Sequence, residues 1–201
     1  METSSTLLGR VRDAGDAASW REFVTLYEPL IVRYALSRGR GLSEPDARDV
    51  AQDVFARLLK ALPTFELDRA RGRFRTDLWQ VTRSALADRA RRGRRRADAE
   101  REWRARSQTP DDRAGWDRAF RRRVLGHALG RVRAACHPRA WACFERHVLG
   151  HERAAAVARA LGLTVNVVYV HSSNVLSRVR AECADCLEDL SDDPQDLPGG
   201  P

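Results

Sequence analysis

The sequence predicts an all-α protein built of two small helical domains, and three observations carry that prediction. Apolar residues recur at three- and four-residue spacing over long stretches, proline and glycine are scarce inside those stretches, and no segment sustains the alternation of a half-buried strand. Of the 201 residues 43% are hydrophobic, enough for two small domains to bury a core each.

The first helical block runs from about Leu7 to Arg92. Trp20, Phe23, Tyr27, Ile31 and Tyr34 stripe one helix face, and Pro29, which lacks an amide hydrogen, is expected to restart the helix there. Gly39 and Gly41 break the chain. Ser43 with Asp46 three residues later reads as a capping box, each side chain satisfying an amide of the first turn. Behind it Ala47, Val50, Ala51, Val54, Phe55, Leu58 and Leu62 form one apolar face, while Asp49, Gln52, Asp53 and Arg57 project away from it. Pro63 ends this helix. A loop over 66–76 then carries Arg69, Arg71, Arg73 and Arg75 around Gly72, and a third helix is expected to bury Leu78, Val81, Ala85 and Leu86.

Charge narrows the class of partner. The chain holds 36 basic residues, only Lys60 a lysine, against 28 acidic ones, for a net charge of +8. An excess of cations favours a polyanion, because basic groups on phosphates release condensed counterions. The start, Met1 to Val11, is not a secretory signal, and no apolar run approaches a membrane span. Four cysteines in a chain of this size do not make a disulfide framework. A cytoplasmic protein with no membrane contact is expected. Between Arg89 and Arg106 arginines crowd together with too few spaced apolar residues for a core. Hence residues 1–95 are read as a first domain, 96–115 as a basic linker, 116–187 as a second domain and 188–201 as an acidic, disordered tail.

In the second block Val124, Leu125, Ala128, Leu129 and Val132 stripe one helix, and Trp141, Phe144 and Val148 stripe another between Pro138 and Gly150. Residues 154–174 have the layout of a helix-turn-helix. Ala158 is the small residue where two helices cross, Gly162 is free to take positive φ as a C-cap, and Thr164 can N-cap the following helix. Val157, Leu163 and Val168 fall on the core side. That leaves Val165, Asn166, Tyr169, Val170, Ser173 and Asn174 to face a major groove, with Arg178 beyond them for a phosphate. The plainer alternative is an alanine-rich core helix with a glycine cap.

Taken together the two halves resemble a family. Asp46-Ala-Arg-Asp-Val-Ala-Gln-Asp-Val-Phe55 is similar to the polymerase-binding helix of extracytoplasmic-function (ECF) sigma factors of bacterial RNA polymerase, which reads D-A-x-D-x-x-Q-[ED]-x-F. Arg73-Phe74-Arg75-Thr76-Asp77-Leu78-Trp79 resembles that family's F-R-x-W-L segment. The resemblance covers about 20–95 and 118–187. It implies a DNA-binding subunit without enzymatic activity or cofactor, with core RNA polymerase and promoter DNA as partners. It further implies a protein that is monomeric when free and leaves room for an anti-sigma partner. By the same resemblance Asp49, Gln52, Asp53 and Phe55 serve polymerase binding. Arg69, Arg71, Arg73, Phe74, Arg75, Trp79 and Arg83 serve the minus-10 element, and Thr164, Val165, Asn166, Tyr169, Val170, Ser173, Asn174 and Arg178 the minus-35 element. The chain departs from the family's pattern at Asp77, Ser84, Ala156 and Asn174, where a tryptophan, an asparagine, an acidic residue and an arginine are usual.

Several readings stay open beside this one. A stand-alone helix-turn-helix regulator would also carry the second block, and an RNA-binding adaptor would use the basic seam. Cys136, Cys143, Cys183 and Cys186, with His137 and His147 nearby, contain thiolate and imidazole ligands for zinc, although their spacing matches no familiar module and small core residues explain them as well. No metal site is expected. Asp49 and Asp53 have no companion histidine, lysine or phosphate loop, which argues against catalysis.

Overall fold

The computed structural model describes residues 7–11, 16–39, 41–61, 74–93 and 110–186, and every regular element among them is helical. In chain order these are α1 (Leu7–Val11), α2 (Ala17–Arg38), α3 (Glu44–Ala61), α4 (Phe74–Gly93), α5 (Pro110–Ala135), α6 (Pro138–Phe144), α7 (Ala154–Leu161) and α8 (Val165–Cys186). A π-helical turn, Glu145–Leu149, continues α6. The all-α prediction therefore holds over the described residues. The expected linker segment 96–109 and the acidic tail lie outside them.

The chain divides into two units, Met1–Arg123 and Val124–Pro201. In the first, α2, α3 and α4 pack through a cluster of aromatic rings centred on the fully buried Phe23. Trp20 stacks on it at 5.4 Å, and Tyr27, Phe55 and Phe74 meet it edge-on at 4.7, 6.2 and 5.7 Å. Such pairs add about 0.5–1.5 kcal/mol each beyond simple burial. The start of α3 is closed as its sequence dictates: Ser43 N–H donates to the Asp46 carboxylate at 3.1 Å, and Asp46 N–H donates back to Ser43 Oγ at 3.3 Å. Gly41, at φ +70°, makes the left-handed turn that precedes it.

Helix α2 does not restart at Pro29, contrary to expectation; it runs unbroken from Ala17 to Arg38. Proline leaves the carbonyl four residues back without its helical donor. That carbonyl belongs to Thr25, and Arg123 Nη2 donates to it at 2.7 Å while Arg123 Nε donates to the Leu26 carbonyl at 2.9 Å. A side chain 98 residues away in sequence supplies the bond that the helix has lost.

Arg123 is delivered by a second departure. Residues 110–123, divided in the sequence reading between linker and second domain, fold as the first part of α5 and complete the core of the first unit. Asp112, Trp116 and Phe120 lie at four-residue intervals and all three are buried. Phe120 stacks on Tyr27 at 5.6 Å, Trp116 meets Tyr34 edge-on at 5.1 Å, and the Trp116 indole donates to the Arg75 carbonyl at 3.2 Å. The Asp112 carboxylate accepts from the Tyr34 hydroxyl at 2.9 Å and pairs with Arg38 at 2.7 Å. Burial first, and then the Asp112 charge, raises the Tyr34 phenol far above its ordinary value, so it stays a donor.

In the second unit the part of α5 from Val124 onward packs Ala128 and Val132 against Trp141, Phe144, Val175 and Val179. A neighbouring cluster joins Cys143, Ala154, Val157, Ala158 and Val168.

The Pro29–Arg123 pairing predicts a coupled stability effect. Arg123→Ala should cost about 1–2 kcal/mol in urea unfolding. In a Pro29→Ala background, where Thr25 regains its helical donor, the same substitution should cost about half as much, and equal costs in the two backgrounds would refute the pairing.

Candidate functional site

Helix α3 turns its apolar face inward and its polar face toward solvent and α4. Asp49 and Gln52 are exposed and Asp53 is half-buried, whereas Phe55 is buried against Trp20 and Phe23. Phe55 thus supports the helix from within while the other three lie at its surface. The acids are not isolated charges. Arg89 of α4 binds Asp46 and reaches Asp49 at 3.6 Å, Arg92 reaches Asp53 at 3.0 Å, and Asp88 takes Arg57 of α3 at 2.6 Å together with Arg91. Part of the arginine cluster that begins in the last turns of α4 is therefore spent on the acids of α3. Its remainder, from Arg94 on, lies outside the described residues.

At the opposite end of α4 a cation–aromatic cluster forms. Two guanidinium groups lie over the Trp79 ring, that of Arg83 at 4.6 Å and that of Arg113 at 4.9 Å from its centre. Arg113, from α5, also donates to Thr76 Oγ1 at 2.6 Å and to Asp117 at 3.3 Å, and Arg75 pairs with Asp117 at 3.0 Å. Burial pushes the neighbouring Asp77 carboxyl up, opposed by the Arg113 charge. Phe74 is buried in the aromatic core. Arg69, Arg71 and Arg73 lie outside the described residues, so of the loop's arginines only Arg75 is placed. Aromatic rings flanked by arginines can stack on unpaired bases and hold phosphates. Arg113 belongs to this cluster and was missed in the sequence reading. The signal was present in the Asp112, Trp116, Phe120 spacing, which makes Arg113 helical.

In the second unit α7 and α8 meet across the turn Gly162–Leu163–Thr164, where the chain bends by 102°. Gly162 takes φ +65°, and Leu163 N–H donates to the Ala158 carbonyl at 2.9 Å, closing α7 in a Schellman arrangement. Thr164 Oγ1 accepts from Val167 N–H at 3.3 Å, so Thr164 caps α8 as its sequence predicts. Ala158, at the crossing, is buried, as are Val157 and Val168. Thr164, Val165, Asn166, Tyr169, Val170, Ser173, Asn174 and Arg178 are all exposed. Tyr169 is held by the edge of His147 at 5.3 Å. That histidine is itself fixed by Nδ1 at 2.8 Å from the Glu152 carbonyl, beside a bidentate Arg146–Glu152 pair at 2.8 and 2.6 Å.

Three cysteines, Cys136, Cys143 and Cys183, lie in or against the core of this unit. Cys143 is buried, and Cys136 and Cys183 pack against the cluster around Trp141. Burial raises the thiols of Cys143 and Cys183. Among the described residues no group of three or more His, Cys, Asp or Glu side chains is arranged to hold a metal ion, and no single helix is long and apolar enough to cross a membrane.

Residues 23–96 match the family model of Sigma-70 region 2, so the first unit carries a Sigma-70 region 2 domain. That span takes in the polar face of α3 and the whole of α4. Comparison with curated proteins finds no match to the chain.

Two expectations follow. Gly162→Ala meets no atom within 4 Å yet forces a side chain into the left-handed region, so it should cost about 1–2 kcal/mol of stability in the second unit, read by thermal unfolding. Asp88 is held below its ordinary value of 3.8, first by the Arg91 hydrogen bond and then by Arg57. Its stabilisation is therefore complete above that value and lost as pH falls below it. Asp88→Asn should lower stability by about 0.5–1 kcal/mol at pH 7. The difference from the unsubstituted protein should shrink progressively as pH falls below 3.8 in urea titrations; a difference independent of pH would exclude the ion pairs as its source.

Proposed function

We propose that this protein is a sigma factor of the ECF type, a dissociable subunit that binds core RNA polymerase and directs promoter-specific initiation. The observation that carries the proposal is the Sigma-70 region 2 match over 23–96, within which Asp49, Gln52 and Asp53 share the outer face of α3. On this reading that face docks on polymerase. Trp79, Arg83, Arg75 and the loop arginines Arg69, Arg71 and Arg73 engage the minus-10 element as it melts. The second unit is a helix-turn-helix that reads the minus-35 element as duplex through α8, a role supported by the 102° bend, the Gly162 and Thr164 caps and the exposed outer residues of α8. The free protein is a cytoplasmic monomer, acts without cofactor or catalytic group, and admits an anti-sigma partner.

Run-off transcription with purified core polymerase and a genomic fragment library tests this. A promoter-specific transcript dependent on the protein is expected, and absence of both transcript and co-purification with core enzyme would overturn the proposal in favour of a stand-alone regulator. Asp53→Arg, which sets a like charge beside Arg92, should weaken holoenzyme formation by about tenfold or more, while duplex binding by the full chain stays unchanged. Arg178→Ala should weaken duplex binding and lower its salt slope by about one.

A further inference from the structure

From Val165 to Asn174 the outer face of α8 carries none of the charged side chains that read G·C pairs. Bidentate recognition of guanine needs arginine or lysine, and the cytosine amino group is read by aspartate or glutamate. Between Ala160 and Ser177 the sequence has no arginine or lysine, and between Arg153 and Ala181 it has no acidic residue. What the face carries instead is Val165, Tyr169 and Val170, at 41, 54 and 48% exposure, interleaved with the exposed Asn166 and Asn174. Asparagine bonds adenine through N6 and N7, and an apolar side chain packs on the thymine methyl group, the one apolar feature of the major groove.

Resting on the duplex-reading role given above, we infer that α8 selects A·T pairs, with Asn166 and Asn174 on adenine edges and Val165, Tyr169 and Val170 on thymine methyls. A helix rises about 1.5 Å per residue, so Val165 to Asn174 spans about 13 Å, or about four base pairs where the helix lies along the groove. The charge around the face suits DNA rather than an apolar protein surface. Residues 124–186 contain eight arginines against four acids. Arg153, Arg159 and Arg178 are exposed and flank the uncharged stripe in sequence, available to phosphates on either side. The Tyr169 ring within the apolar stripe packs against His147 at 5.3 Å.

The test uses the full chain. Duplexes selected from a randomised library should share a core of about four A·T pairs. On the selected duplex, replacing thymine with deoxyuridine removes only the methyl groups and should weaken binding about three- to tenfold in fluorescence anisotropy. Replacing adenine with 7-deazaadenine should cost about tenfold, and that penalty should disappear in Asn166→Ala or Asn174→Ala at the position each residue reads. Both asparagines are exposed, and unchanged circular dichroism of the variants checks that they fold. A G·C-rich core, or equal affinity for thymine and deoxyuridine duplexes, overturns the inference while leaving promoter-dependent transcription intact. If no duplex is bound above the non-specific level, the DNA-reading role of the second unit falls with it, and the stripe is a protein-docking surface.

Discussion

A carboxylate at the bottom of a protein core must be paired, and in the first unit the carboxylate of Asp112 is the pairing on which the rest is hung. Only 1% of that residue is exposed, and its two oxygens are taken by Tyr34 and Arg38 of α2. With Asp112 anchored, helical spacing brings Trp116 and Phe120 into the aromatic core, Arg113 onto the face of Trp79, and Arg123 onto the carbonyl that Pro29 has left without a donor. The Sigma-70 region 2 match stops at residue 96. The folded unit that contains it does not, because its core is incomplete without the aromatic side chains of α5.

Ion pairing gives α3 and α4 a common surface of mixed charge. Asp46, Asp49 and Asp53 on one helix meet Arg89 and Arg92 on the other, while Arg57 crosses in the opposite sense to Asp88. Exposed pairs of this kind contribute little stability each, so a partner can displace them at small cost. A polar face that is satisfied yet exchangeable suits the dissociable polymerase subunit proposed above. The charge of the same arginines is in part neutralised by α3, so fewer are available to phosphate than the sequence alone suggests.

Features encoded within a few residues were legible. Ser43 and Asp46 form their reciprocal cap because both side chains reach amides of a single turn. Gly162 and Thr164 shape the α7–α8 turn because one tolerates positive φ and the other offers a hydroxyl at the cap. The outward stripe on α8 followed from period alone. Features that depend on a distant partner were not legible. Pro29 breaks a helix by local rules and is tolerated only because Arg123 arrives from 94 residues further on. The stretch from Asp112 to Arg123 read as linker and boundary because arginines and aspartates mask three buried positions.

By itself, then, the sequence determined most of the helices, several of their caps and which face of each is apolar, since these follow from backbone sterics, short-range hydrogen bonds and the 3.6-residue period. Tertiary structure decided which charges are spent inside the molecule, which part of α5 belongs to the first unit, and whether a proline could stand within α2. Those outcomes hinge on pairing groups far apart in the chain, and a buried or unsatisfied polar group has an energy only once its neighbour is in place.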